Sequence, residues 1–142
     1  MVEFTFGCSR RTFDELDADG DASDDQEYEW SLVRAKPVRY LKWLSETEFS
    51  QTDARHDKNG RTLPNSPRIG FFPYPHRLAT LDSLREKQHA DLSITMLIEV
   101  LPGRYFFENG RHRAYWFATN NAEFVPLMVP RHQADRLRAM FE

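Results

Sequence analysis

The stretch that decides the fold is Tyr105-Phe106-Phe107-Glu108-Asn109-Gly110-Arg111-His112-Arg113-Ala114-Tyr115-Trp116-Phe117, followed by Phe124-Val125-Pro126-Leu127-Met128-Val129. Tyr105 to Phe107 read as a strand, Asn109-Gly110 as the tight turn that ends it, and Ala114 to Ala118 as a helix. Phe124 to Val129 is an unbroken apolar run of strand length, which suits a buried strand. Strand, turn, helix and buried strand in succession predict an α+β (mixed α/β) fold, a small mixed sheet flanked by helices.

The pattern extends in both directions. Leu92 to Val100 is dense in β-branched and apolar residues, and Pro102-Gly103 is a turn signal, so Arg104 to Phe107 is expected to pair back as a hairpin. Leu78, Leu81 and Leu84, with charges between them, mark a short amphipathic helix ending near His89. Ala134, Leu137, Met140 and Phe141 form the apolar side of a closing helix. From Ser50 to Pro75 the chain holds Asn59-Gly60, Pro64, Pro67, Pro73 and Pro75, which predicts a long loop at about 50–75 without regular structure. Nearer the start, Val2, Phe4 and Phe6 alternate with Glu3 and Thr5 in the period of a half-buried strand. Trp30 to Val33 return as another strand. Pro37 then opens a helix with Val38, Leu41 and Leu44 on one face and Tyr40 and Trp43 beside them.

The net charge of −3 averages over two unlike regions. Between Thr12 and Val33 there is no Lys or Arg, while Asp14, Glu15, Asp17, Asp19, Asp21, Asp24, Asp25, Glu27 and Glu29 supply nine carboxylates. The other 13 acidic residues stand against 19 basic ones, so the remainder carries +6. The acidic segment, at about 14–29, has too few apolar groups to repay ordering and reads as a solvated loop. Asp17, Asp19 and Asp21 alternate as in a calcium-binding EF-hand, but Ala22 stands where Gly is required and Tyr28 where the bidentate Glu belongs. A disordered tether, a mask for the basic surface or a nucleic-acid mimic fits this segment better.

At 142 residues, 40% hydrophobic and 29% charged, the chain is expected to form one globular domain over 1–142. Its one cysteine, Cys8, excludes an intramolecular disulfide framework and a Cys-rich zinc site, and suits a cytoplasmic location. No signal-peptide pattern opens the sequence and nowhere do 18 apolar residues stand together, so no membrane insertion is expected. His56, His76, His89 and His132 lack the spacing of a zinc hydrolase. A nucleophile elbow and a Walker-type loop are both missing.

Chemistry concentrates at the start of the helix after Asn109-Gly110. Helix N-termini present unpaired N–H groups and a positive dipole end, and Gly110 allows a ligand to approach the backbone closely. Arg111, His112 and Arg113 add charge-assisted donors suited to phosphate oxygens. The expected phosphate-binding set is therefore Asn109, Gly110, Arg111, His112 and Arg113, with Glu108 beside it as the candidate catalytic carboxylate. A purely structural role for two arginines capping the helix against Glu108 is disfavoured, because cations at this end oppose the dipole by about 0.3–1 kcal/mol. His112 reads equally as a hydrogen-bonded structural residue or a ligand contact. Glu108 could hold Mg²⁺ or be an exposed strand-end acid.

The order strand, Asn-Gly-Arg-His-Arg, helix, short loop and Val125-Pro126-containing strand resembles the phosphate-binding core of the ParB/sulfiredoxin-like fold, over roughly Leu92 to Val129. Within that superfamily the Gly110-Arg111-His112-Arg113 box is similar to plasmid fertility inhibition factors, the Osa-like proteins that block conjugative DNA transfer. The resemblance implies a plasmid or mobile-element factor with a nucleotide or DNA as ligand and ATP or CTP with Mg²⁺ as cofactor. It also implies ATPase or nuclease activity and a protein partner in a conjugation or secretion machinery. Arg111 occupies the place of sulfiredoxin's reactive Cys, which argues against sulfinic-acid reduction. Too few residues follow Val129 for the helix-turn-helix domain of partition proteins.

Other signals remain open at this level. Tyr105, Phe106, Phe107, Tyr115, Trp116 and Phe117 cluster near the basic box as base-stacking residues would, although strand and helix positions favour core packing. Arg55, Lys58, Arg61 and Arg68 could track a phosphate backbone or simply be solvated. Enzymatic activity is left undecided, because a phosphate cradle is more legible than a general base. The competing reading is a non-catalytic interaction module that keeps the fold as a scaffold and contacts a protein partner through the acidic or the Pro-rich loop.

Overall fold

The computed structural model describes residues 2–6, 9–12, 21–22, 29–49, 55–56, 62–63, 68–69, 73, 75–86 and 90–142. In chain order the strands are β1 (Val2–Phe6), β2 (Ser9–Thr12), β3 (Asp21–Ala22), β4 (Trp30–Ala35), β5 (Glu48–Phe49), β6 (Arg55–His56), β7 (Thr62–Leu63), β8 (Arg68–Ile69), β9 (Ala90–Ser93), β10 (Thr95–Leu101), β11 (Arg104–Asn109) and β12 (Val125–Pro130). The helices are α1 (Pro37–Glu46), α2 (Pro75–Asp82), α3 (Arg111–Thr119) and α4 (Arg131–Phe141), and a 3-10 turn at Ser83–Glu86 extends α2. The fold is α+β, built on a mixed sheet of order β3-β4-β12-β10-β11-β5-β8.

Residues of β12 are apolar at every position and buried at every position, as a central strand covered on both faces requires. It runs antiparallel to β4 from Val125↔Ala35 to Pro130↔Trp30, and parallel to β10 at Thr95↔Leu127 and Met96↔Met128. Beyond Met96, β10 leaves the β12 ladder, and a side chain takes over the missing pairing. The Gln133 carboxamide accepts from the Glu99 amide and donates to the Glu99 carbonyl, both at 2.9 Å, and Arg136 closes an ion pair on the Glu99 carboxylate.

The run Leu92 to Val100, expected as one strand, divides at Ile94. Its first part, β9, lies parallel to β1 in a separate three-stranded sheet of order β2-β1-β9, and its second part is β10 of the main sheet. Ile94 spans the junction, 1% exposed, with its amide donating to the Thr5 carbonyl. The β10–β11 hairpin forms as expected around Pro102-Gly103, with Gly103 at φ 77°.

Trp43 joins three elements. Its ring meets Tyr105 of β11 at 5.1 Å and Phe141 of α4 at 5.0 Å, both nearly edge-on, and lies 5.5 Å from Tyr40 on its own helix. Tyr40, Trp43, Leu44 and Thr47 form the buried stripe at helical spacing, whereas Val38 is 81% exposed. The sequence stripe is thus corrected: the larger apolar area of Tyr40 and Trp43 decides which arc of α1 turns inward. In α4 the stripe is Ala134, Leu137 and Phe141, with Met140 half-buried at its margin.

Regular structure does occur inside the Pro-rich segment, which corrects the loop expected at 50–75. β6 pairs with β7, and β8 pairs with β5, so the segment adds backbone ladders of two residues each. In the acidic segment, Asp21 and Ala22 pair with Ser31 and Trp30, so that this part is strand rather than loop. The rest of 14–28 lies outside the described residues, as does Cys8. No described helix is long and apolar enough to cross a membrane.

Phe141 is fully buried against Trp43 and Tyr40, so its truncation leaves a cavity under the sheet. Phe141→Ala is expected to destabilise the fold by about 3–5 kcal/mol in urea unfolding, with an unchanged slope.

Candidate functional site

The Asn109-Gly110 turn is fixed by sterics. Gly110 stands at φ 79°, the left-handed region that disfavours a Cβ, and serves as N-cap of α3. A Cβ built on it would lie 2.7 Å from Thr95 Oγ1 and 2.8 Å from Thr95 Cα. This close approach lets the Thr95 hydroxyl donate to the Gly110 carbonyl at 2.8 Å, while the same carbonyl takes the Ala114 amide at 3.0 Å. Helix α3 therefore starts at Arg111, three residues earlier than the apolar pattern suggested, and its first turn contains Arg111, His112 and Arg113 with no acidic residue.

A cleft of about 770 Å³ opens over this turn. Phe106 to Arg113 form one wall, and one side of α2 supplies the other through His76, Arg77, Thr80 and Leu81. All six residues singled out from the sequence, Glu108 to Arg113, line it. The N-terminus of α3 faces this space and presents a positive dipole end of about half a charge. Trp116 of α3 holds α2 in place by donating its indole N–H to Asp82 at 2.9 Å.

His112 and Arg113 register the resulting field. Burial is the main cause that lowers the His112 pKa to about 4, and the cations Arg111, Arg77 and His76 lower it further. His112 is 8% exposed and neutral at pH 7, a state in which one ring nitrogen donates and the other accepts. The Arg113 guanidinium is likewise pushed down by burial and then by Arg77.

The neighbouring carboxylate and amide play lesser parts in this geometry. Glu108 is exposed at the end of β11, and Asn109 directs its amide to the Met96 sulfur at 3.4 Å. Among the described residues no group of three or more His, Cys, Asp or Glu side chains could hold a metal, and Glu108 is the one carboxylate on the cleft. A divalent ion fits here only as the companion of phosphates, which would supply most of its oxygens, with Glu108 adding one ligand. The chemistry such an ion supplies is neutralisation of phosphoryl charge.

His76, Arg77 and Thr80 were not among the candidates read from the sequence. Their signal was present but separate: Pro75-His76-Arg77 opens one helix as Gly110-Arg111-His112-Arg113 opens another, and only tertiary packing brings the two together. Of the clustered aromatics, Tyr105, Phe107 and Phe117 are buried in the core, while Phe106 is half-buried on the cleft wall. Arg55 and Arg68 lie in short strands, and Lys58 and Arg61 lie outside the described residues.

The chain gives no match to a protein-family model, a curated protein or a solved structure.

Two substitutions report on this geometry. Gly110→Ala combines a left-handed backbone with a contact on the Thr95 backbone and is expected to cost about 1–2 kcal/mol from the dihedral alone, more with the clash, as read by thermal unfolding. For His112 the unfolded chain binds a proton near pH 6.5 that the folded chain takes up only near 4. Its contribution to stability is therefore complete above pH 6.5 and declines as pH falls toward 4. The urea midpoint should fall between pH 6.5 and 5, a window in which ordinary carboxylates titrate little, and His112→Gln should flatten that slope.

Proposed function

We propose that the chain is a phosphate-binding protein of ParB/sulfiredoxin-like type, taking a nucleotide or nucleic-acid phosphate in the cleft between the side of α2 and the first turn of α3. One observation carries the reading: Arg77, Arg111 and Arg113, from two helices distant in sequence, line one cleft with the N-terminus of α3. Guanidiniums offer forked donors to phosphate oxygens, and the N-terminal amides of α3 offer backbone donors beside them. Neutral His112 adds one further donor or acceptor at the floor of the cleft. Half-buried Phe106 offers an apolar wall beside the charged groups, where a sugar or base edge could rest.

The biological role that goes with this reading, through the resemblance of the Gly110-Arg111-His112-Arg113 box, is interference with conjugative DNA transfer by a plasmid or mobile-element factor. For a hydrolytic reaction, the arginines would stabilise charge developing on phosphoryl oxygens and Glu108 would orient a water or a metal. Binding is the better supported half of the proposal, since three cations line the cleft and a single carboxylate accompanies them.

A thermal-shift panel of ATP, CTP, GTP and short DNA, with and without Mg²⁺, tests it. A ligand at 100 times its dissociation constant adds about 2.7 kcal/mol to the folded state. For a chain of this size that is a rise of several degrees in melting temperature. Arg113→Ala should remove most of the rise and, expressed in a plasmid-bearing donor, should lose whatever reduction of transfer frequency the parent chain causes. If no ligand moves the melting temperature, the fold is a scaffold for protein contacts instead.

A further inference from the structure

The wall of the cleft that α2 supplies is anchored at one end. Leu81 is the only buried residue of this helix, where α1 buries Tyr40, Trp43 and Leu44, and α3 and α4 bury four residues each. Next to it, exposed Asp82 accepts the Trp116 indole N–H at 2.9 Å. The 3-10 turn Ser83–Glu86 continues that anchor, with Ser83 Oγ donating to the Thr80 carbonyl at 2.6 Å and Leu84 packed against the core. At the other end of α2, Pro75, His76 and Arg77 are all exposed, and it is from this exposed end that His76 and Arg77 line the cleft.

A helix of eight residues does not hold its form in water without a partner, so α2 is helical because it is docked on α3. Leaving α3 and unwinding are therefore a single event, and few buried groups oppose it. Charge acts in the same direction. The half-buried Arg113 guanidinium of α3 feels the like charge of Arg77 on α2, and an anion in the cleft offsets that repulsion. We propose that α2 is a folding lid on the cleft: it unwinds off α3 to open the site and re-forms over an anion held there, with Leu81 and the Trp116–Asp82 hydrogen bond as its latch. The closing step rests on the phosphate-binding reading above; the latch does not.

Amide hydrogen exchange on the full chain, followed by mass spectrometry, tests both parts, because exchange in α2 reports its opening equilibrium. In the unliganded chain, the amides of Ala79 to Asp82 should exchange together and faster than those of α3 and β12. Trp116→Phe and Asp82→Ala should each speed exchange in α2 about tenfold, the worth of one hydrogen bond to a charged acceptor, and leave Leu127 to Val129 unchanged. The double variant should go no further than either single one, since both remove the same bond. Arg77→Gln, which removes the like charge at an exposed position, should slow exchange in α2 about threefold. Excess pyrophosphate, as the probe anion, should slow it about tenfold in the parent chain. Exchange in α2 as slow as in α3, or unmoved by the latch variants, overturns the lid and leaves the phosphate-binding reading intact. Pyrophosphate that raises the melting temperature without slowing exchange in α2 overturns closure over the anion. Pyrophosphate, ATP and short DNA that change neither quantity overturn the phosphate-binding reading and the closure with it, while the latch stands or falls on its variants.

Discussion

The Gly110 carbonyl, shared between the Thr95 hydroxyl and the Ala114 amide, is the joint on which the rest of this structure depends. Thr95 is the first residue of β10, lies opposite Leu127 of β12, and comes directly after Ile94, where the chain passes from one sheet to the other. Tying it to Gly110 sets the start of α3 against the centre of the main sheet. The contact requires a residue without a Cβ, because the Thr95 backbone occupies that space. This joint determines the direction of α3, the side of the sheet toward which its dipole opens, and the positions from which Arg111 and Arg113 leave the backbone. A loop could present the same residue types, but it would not fix as closely the positions from which they leave the backbone.

The first turn of α3 works against local stability. Cations at a helix N-terminus oppose the dipole, each by about 0.3–1 kcal/mol where exposed, and His112 is driven neutral rather than adding a third charge. The opposing contributions are visible on the other face of the same helix, where Ala114, Phe117 and Ala118 are buried and Trp116 bonds to Asp82. The charge set against the dipole at the start of α3 is offset by packing along the rest of the helix. α1 carries a similar conflict, with Lys36 at its N-cap, Arg39 in its first turn and no acid there, but it buries an aromatic stripe and its first turn takes no part in lining the cleft.

Much of this was legible from residue order alone. The β12 run, the hairpin about Pro102-Gly103, the Pro37 helix and the closing helix all rest on local signals, and each forms. Local signals could not show that Leu92 to Val100 serves two sheets, because periodicity does not record which partner a strand finds. They misjudged α1 at Val38 because alternative apolar arcs were available and area, not count, chose between them. Glu108 to Arg113 were read as one candidate set because glycine, turn and cations are adjacent in sequence, and all six line the cleft. His76 and Arg77 were not, since the packing of α2 on α3 is a tertiary fact carried by Trp116 and Asp82, 34 residues apart.

The net charge of −3 is a poor guide to the field at the cleft, and the structure shows why. Of the nine carboxylates in the acidic segment, Asp21 lies in β3 beside β4, and Glu29 pairs with Arg131 at 2.7 Å, where β12 gives way to α4. In the sheet, β3 and β4 are three or four strand spacings from β11, about 14–19 Å. They are displaced along the strands too: Leu127 is level with Thr95 at the cleft end, and Pro130, opposite Trp30, lies three residues beyond it, about 10 Å further. Both separations exceed the Debye length of about 8 Å at physiological salt, so the Glu29 carboxylate acts on Arg131 and leaves the cleft's potential almost untouched. Glu29 is engaged in orienting the first turn of α4, whose Gln133 and Arg136 in turn hold β10 at Glu99. The described part of the acidic segment therefore contributes to the sheet's far edge, and among the described residues the charge at the cleft comes from Arg77, Glu108, Arg111 and Arg113, which line it.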